Sequence, residues 1–226
     1  MKLTFLGQSC FLIETMGKKL IIDPMILSNP LATKIKIDEI KVDYVLLTHG
    51  HYDHVADAEM IALNNNAFII SNFEIVSWYE QKGLKGHGMN LGGKFQFDFG
   101  TLKYVVGVHS SVLPDGTHGG ASGGFVLSNS EACVYFAGDT ALTMDMQLIP
   151  KTCPGLDLAV LPVGDNFTMG YEDAIIASDF IGCHRIVGCH FDTFPPIKID
   201  HEVVSKAFKD QNKTIILPQI GQEITV

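Results

Sequence analysis

Short apolar runs cut by glycine and polar turns dominate the chain, and long helical stripes are few, which predicts a protein rich in strands. Leu3 to Leu6, Cys10 to Glu14 and Lys19 to Ile22 read as three strands joined by Gly7-Gln8-Ser9 and Met16-Gly17-Lys18, and connections this short make them an antiparallel meander. Asp23-Pro24 stops it. The polar segment from Ser28 to Asp43 reads as a long excursion, of the kind that can close over a site as a lid. Tyr44 to Leu47 is a buried strand. Helical spacing over Asp57 to Leu63 ends at Asn64-Asn65-Asn66, Ala67 to Ile70 is a strand, and Phe73 to Gln81 is a helix ended by Gly83. Phe95 to Phe99 and Leu102 to Val108 form a hairpin around Gly100-Thr101, and Ser122 to Ser128 pairs with Ala132 to Ala137. Further strands fall at Leu158 to Val163, Arg185 to Gly188, Thr214 to Leu217 and Glu223 to Val226. Helices fall at Tyr171 to Ile181 and, with Asp200 as its cap, at Asp200 to Asp210. With no fixed repeat, low-complexity tract or linker, residues 1–226 are expected to form one compact layered domain of strands and helices.

Composition narrows the classes. A chain that is 46% hydrophobic and 18% charged has ample material for a core. No apolar run approaches the ~18 residues that cross a bilayer. The start, Met-Lys-Leu-Thr-Phe-Leu-Gly, lacks a signal-peptide core, which predicts a cytoplasmic protein with no membrane partner. The formal charge of −9 and the absence of a basic stripe disfavour nucleic acid. Cys10, Cys133, Cys153, Cys183 and Cys189 are odd in number and scattered, and read as reduced, mostly buried thiols.

Candidate chemistry concentrates directly after Tyr44 to Leu47, where His49, His51, Asp53 and His54 fall within six positions. Imidazole nitrogen and carboxylate oxygen suit a borderline cation such as zinc. Alternate residues of an extended loop project to one side, so His49 and His51 can grip one ion. Asp53 and His54 fall at the start of the next helix, displaced enough to address a second. Other strands also deliver chemistry at their ends: Val108 leads to His109-Ser110-Ser111, Ala137 to Gly138-Asp139-Thr140, and Gly188 to His190. Ligands delivered in this way converge on one edge of a sheet pair.

The stretch Thr48-His49-Gly50-His51-Tyr52-Asp53-His54 resembles the His-x-His-x-Asp-His signature of the metallo-β-lactamase superfamily. His109, Asp139 in Gly-Asp-Thr, and His190 follow in the expected order. Gly-Met-Asn-Leu-Gly-Gly at 88–93, Asn-Phe-Thr-Met-Gly at 166–170 and Thr-Phe-Pro-Pro at 193–196 are similar to a small, functionally unassigned family of metal-dependent hydrolases within it. The resemblance implies an α/β fold, a four-layer αββα sandwich of two mixed sheets with two metals at one rim. It implies that His49, His51 and His109 hold the first metal, that Asp53, His54 and His190 hold the second, and that Asp139 bridges them. Two dications about 3.5–4 Å apart repel strongly, and a shared carboxylate offsets that. The resemblance also meets departures: Gln8 stands where relatives often carry His, and Asp165 and Asp192 stand where Gly and Asn are expected. For both acids hydrogen bonding is the favoured reading over a role in substrate preference.

Four further residues are candidates for substrate contact. His87 and His118 lie in glycine-rich loops from which either could reach the pocket, and Asn166 and Thr168 could polarise a substrate oxygen. His184 and His201 read as surface or capping residues. Ser110 and Ser111 read as groups that orient a ligand, since no Gly-x-Ser-x-Gly elbow is present.

The expected function is a dinuclear metal-dependent hydrolase in which a metal-bridging hydroxide attacks a small ester, lactone or phosphodiester, with Asp53 orienting that hydroxide and Asp139 bridging. The cofactors are two divalent ions, with zinc favoured and manganese or iron also suited to the donors. A small molecule is the expected partner, and a homo-oligomer is left open. The alternative is a metal-stabilised binding or regulatory module without turnover. A redox role ranks third, because no flavin or electron-transfer segment is evident.

Overall fold

The computed structural model describes residues 1–226. The first half of the chain supplies β1 (Lys2–Gly7), β2 (Cys10–Thr15), β3 (Lys18–Ile22), β4 (Tyr44–Leu46), β5 (Phe68–Asn72) and β6 (Gly86–Met89). The second supplies β7 (Lys94–Phe97), β8 (Gly100–Val106), β9 (Gly123–Ser128), β10 (Cys133–Phe136), β11 (Leu158–Pro162), β12 (Arg185–Cys189) and β13 (Thr214–Ile216). The chain closes with β14 (Glu223–Thr225). Six helices intervene: α1 (Tyr52–Val55), α2 (Ala58–Asn65), α3 (Phe73–Glu80), α4 (Ile149–Thr152), α5 (Tyr171–Phe180) and α6 (His201–Asp210).

The strands form two seven-stranded sheets, ordered β14-β1-β2-β3-β4-β5-β6 and β13-β12-β11-β10-β9-β8-β7. Both follow one plan. Three antiparallel pairings, from β14 to β3 or from β7 to β10, are followed by three parallel ones. Tight turns join most antiparallel neighbours, the exceptions being β14–β1, which pairs the two ends of the chain, and β8–β9, joined by the long loop that carries His109; parallel strands need crossovers, and the helices lie in those.

Burial explains the layering. Phe5, Phe11, Ile13, Leu46, Phe125, Phe136 and Val187 belong to a cluster between the sheets. Val45, Ile69, Ala62 and Val76 join the outer face of the first sheet to α2 and α3, while Leu161, Ile186, Ala177 and Phe208 join the second to α5 and α6. Every residue of β11 is buried, as a central parallel strand covered on both faces requires. The result is the four-layer αββα sandwich. All five cysteines are free, and four of them are buried.

Three expectations change. The β7–β8 turn is Asp98-Phe99 rather than Gly100-Thr101, because Phe97 pairs with Gly100. Phe99 is fully buried against Tyr44, at 4.7 Å between ring centroids, and this core contact overrides local turn preference. The glycine-rich segment around His87 is strand β6 rather than a loop: a Cβ at Gly86 would meet Val76 Cγ1 at 2.6 Å and the Ile69 carbonyl oxygen at 2.9 Å, so glycine permits the close approach to α3. The excursion before β4 is not a lid. Ile26, Ala32, Ile40 and Val42 pack into the outer cluster of the first sheet, and Asp57 accepts the Ile26 and Leu27 backbone N–H groups.

Candidate metal centre

The C-terminal ends of β4, β8, β10 and β12 meet at one rim of the sandwich. His49 lies three residues beyond β4, and His51 caps the short helix α1 that carries Asp53 and His54. The second sheet contributes His109 after β8, Asp139 after β10 and His190 after β12. Gly138 adopts φ +63° against Thr48, where a Cβ would lie 2.7 Å from the Thr48 Cβ, so glycine lets the two sheets approach at the site.

The seven residues fall into two groups, each with donor atoms within 4.8 Å of one another. In the first, His51 Nδ1 is 3.0 Å from His49 Nε2 and 3.2 Å from His109 Nε2. In the second, His190 Nε2 is 3.1 Å from Asp139 Oδ2 and 3.4 Å from Asp53 Oδ2. His54 Nε2 is 3.2 Å from Asp139 Oδ1 and 3.5 Å from Asp53 Oδ2. Asp139 also reaches the first group, with Oδ2 3.6 Å from His109 Nε2 and 4.0 Å from His49 Nε2. Its carboxylate is the element common to both.

These donors fit divalent cations. His54 Nε2 and Asp139 Oδ1 are buried, face each other and have no hydrogen-bond partner. With no hydrogen bond to reorganise, both atoms are open to coordinate a cation beside them. The His and carboxylate set suits zinc, manganese or iron.

Electrostatics divides the groups. Burial holds the His49 imidazole well below its ordinary value, and it also lowers His51 and His109, so these three rings are neutral and their nitrogens free to donate lone pairs. Burial opposes charge at His54 and His190 too, but Asp139 and Asp53 outweigh it: His54 is raised well above the ordinary value and His190 to about 9. Burial would raise the Asp53 and Asp139 carboxyls, yet His54 and His190 hold both below the usual carboxylate range. The second group therefore draws positive charge into a buried position, where protons and a cation compete.

Supporting bonds fix the rings. Asp23, at the end of β3, accepts from His54 Nδ1 at 2.8 Å, from the Thr48 backbone N–H at 2.8 Å and from Thr48 Oγ1 at 2.6 Å. Burial, partly offset by His54 and Thr48, raises the Asp23 carboxyl. Gln8 donates from Nε2 to Asp53 Oδ2 at 2.9 Å, and its backbone carbonyl accepts from the His190 backbone N–H at 2.8 Å. Ser110 Oγ lies 3.3 Å from His51 Nε2, and Ser111 Oγ accepts from the Gly50 N–H at 3.1 Å, so both serines support the His49–His51 loop. Sequence reasoning missed Asp23, which it treated only as a strand stop; its signal was an acid directly after an apolar strand, where Pro24 alone would have ended the strand.

A cleft of about 500 Å³ opens above the cluster, with His51, Asp53, His109, Asp139 and His190 as its floor. Tyr52, Phe167, Phe194 and Pro196 wall it. None of the four candidates for substrate contact lines this cleft. His87 packs on Phe95, 4.2 Å between ring centroids, beside a separate depression that includes Lys18 and Asp43. His118 is exposed, and its Nδ1 accepts from the Gly120 N–H. Asn166 and Thr168 flank Phe167 without lining the cleft, and the Thr168 hydroxyl bonds the Met169 carbonyl. Phe167, between them, was overlooked because an aromatic residue in a loop carries no donor. Asp192 caps its own loop, accepting from the Ile199 N–H and pairing with His201 at 2.7 Å.

Comparison with known proteins agrees with this geometry. Residues 2–190 match the model of the β-lactamase superfamily domain. A UPF0173 metal-dependent hydrolase of Flavobacterium johnsoniae is 55% identical over 224 residues, covering 99% of both chains, and one of Bacillus cereus is 40% identical over the whole of both. The structure of Igni18, a metallo hydrolase from Ignicoccus hospitalis, superposes with a TM-score of 0.89 at 32% identity, covering 100% of this chain and 97% of that one. With its paired ligand groups at the rim of an αββα sandwich, the chain belongs to the metallo-β-lactamase superfamily, within the UPF0173 family of metal-dependent hydrolases.

Proposed function

We propose that residues 1–226 act as one dinuclear hydrolase domain on a small ester, lactone or phosphodiester. The observation that carries this reading is the Asp139 carboxylate standing between two converged ligand groups. His49, His51 and His109 would hold one cation, and Asp53, His54 and His190 the other, with Asp139 shared. Two such ions, zinc, manganese or iron, would polarise the scissile group and make a water reactive near neutral pH.

The chain's own residues do the rest. Asp53, held by the Gln8 amide, orients the attacking water toward the cleft. Asp23 holds the His54 ring through Nδ1, leaving Nε2 directed at the shared carboxylate. Tyr52, Phe167 and Phe194 wall the substrate side of the cleft. No helix is long and apolar enough to cross a membrane, and the acidic balance supports a small-molecule partner over a polynucleotide; a cytoplasmic setting is part of the same proposal.

The test is metal-loaded protein assayed on an ester, lactone, lactam and phosphodiester panel beside Asp139→Ala. Turnover of at least one class, reduced by about 100-fold or more in the variant, is expected. Equal rates for the two proteins would reject the assigned chemistry.

A further inference from the structure

Resting on that hydrolytic reading, we propose that the substrate is an uncharged carboxylic ester or lactone with an apolar alkyl or aryl substituent, seated against Tyr52, Phe167 and Phe194. Three independent features of the cleft lead there. The first is charge. No Lys or Arg lines the cavity, so a phosphate or carboxylate on the substrate away from the scissile bond would meet aromatic walls with no cationic partner. Nucleotides, sugar phosphates and acidic peptides are thereby disfavoured, while an apolar substituent loses nothing by entering.

The second feature is exposure. Tyr52 is 58% exposed and Phe167 52% exposed, both on the same cleft, and among the other phenylalanines only Phe73 and Phe95, away from it, are comparably exposed. Two large apolar side chains left in water beside a reactive centre form a surface that gains by being covered. At about 500 Å³ the space is large enough to take both the acyl and the leaving group of a small ester.

The third is the backbone that presents these rings. Asp165 and Asn166 are consecutive left-handed residues, with φ of 61° and 58°, immediately before Phe167. The Gly164–Gly170 bridge and the Met169 N–H to Thr140 carbonyl bond at 2.9 Å hold that loop in place. His190 and Asp192, φ 54° and 62°, precede Phe194, and Asp192 is tied to Ile197, Ile199 and His201. Non-glycine residues adopt this conformation at a cost, and surrounding bonds must sustain it. Here the braced loops hold two aromatic rings against the cleft before any ligand arrives, so little freedom is lost when an apolar group is bound.

The experiment compares para-nitrophenyl butyrate with para-nitrophenyl hemisuccinate, which share the scissile bond and leaving group, and with bis-para-nitrophenyl phosphate. Full-length, metal-loaded protein is expected to prefer the butyrate by roughly tenfold or more in kcat/KM. Phe167→Ala is expected to raise KM for the butyrate about fivefold while kcat stays within about twofold, and to raise KM for the hemisuccinate by less, so that the preference for the butyrate narrows. Preference for the hemisuccinate or the phosphodiester, or an unaltered KM in Phe167→Ala, overturns the assignment even though Asp139-dependent hydrolysis stands. If none of the three is turned over, saturation-transfer NMR with para-nitrophenyl butyl ether decides separately. Binding that is lost in Phe167→Ala supports the apolar subsite although the hydrolytic reading has failed, and absence of binding overturns the subsite too.

Discussion

Asp23 shows how much one buried carboxylate can organise. It satisfies His54 Nδ1, the Thr48 N–H and the Thr48 hydroxyl at once, so it sets both the ring direction of one proposed ligand and the path of the loop leading to two others. Asp23→Ala leaves those donors buried without an acceptor. We expect a loss of about 2–4 kcal/mol in stability, read from urea unfolding, and about 10–100-fold weaker cation binding, read by calorimetry. Gln8 acts on one group only, through Asp53. In Gln8→Leu the cation assigned to Asp53, His54 and His190 should bind roughly tenfold more weakly while the first is unaffected, and titration of metal-free protein would resolve the two events. Equal weakening of both would contradict the division.

Among the elements, β6 survives as a strand because its residues are small where α3 crosses it. Gly86→Ala places a methyl 2.6 Å from Val76 Cγ1, so a loss of about 1–3 kcal/mol in stability is expected with cation affinity unchanged, measured by melting and calorimetry on one preparation. At the rim opposite the site, the β9–β10 turn meets the β2–β3 turn: Glu131 accepts from Thr15 Oγ1 at 2.8 Å and the Met16 N–H at 3.1 Å, and pairs with the chain's first amino group at 3.1 Å. Those contacts, led by the Thr15 hydroxyl, hold the Glu131 carboxyl below its ordinary value. Its contribution is therefore full above the ordinary carboxyl range and is lost as pH falls through the lowered folded value. Because the pair is exposed to solvent, the effect stays under about 1 kcal/mol. Unfolding midpoints of Glu131→Gln should accordingly differ from the wild type at neutral pH and converge with it in acid.

For the molecule as a whole, the proposed ligands come from both sheets: His49, His51, Asp53 and His54 follow β4, while His109, Asp139 and His190 follow β8, β10 and β12. A cation held there would link the two sheets at one rim, as Glu131 links them at the other. Binding to the folded state alone stabilises it by about 4 kcal/mol when free cation exceeds Kd about 1,000-fold. Zinc or manganese added to chelator-treated protein should raise the melting temperature in a concentration-dependent manner, and an Asp139→Ala protein should show a much smaller rise. An unchanged melting temperature in the wild type would argue against cation binding at this rim.

How far the sequence reached depended on the range of the physics involved. Period-two apolar runs, glycine and proline stops, and the Asp200 cap are local, so nearly every strand and helix was readable within a residue or two. The His49–His54 spacing is local as well, and the seven side chains it led to by resemblance are those the fold gathers into two groups. Other features depend on partners distant in the chain. Burial of Phe99 against Tyr44 moved a turn, close packing on α3 made a strand of a glycine-rich segment, and Asp23 acquired its purpose from Thr48 and His54. The same holds for the cleft: His87 and His118 fold away from it, while Tyr52, Phe167 and Phe194 had no conspicuous chemistry until folding set them above the donors. Pattern and residue type decide what a segment is, whereas the meeting of segments decides what it touches.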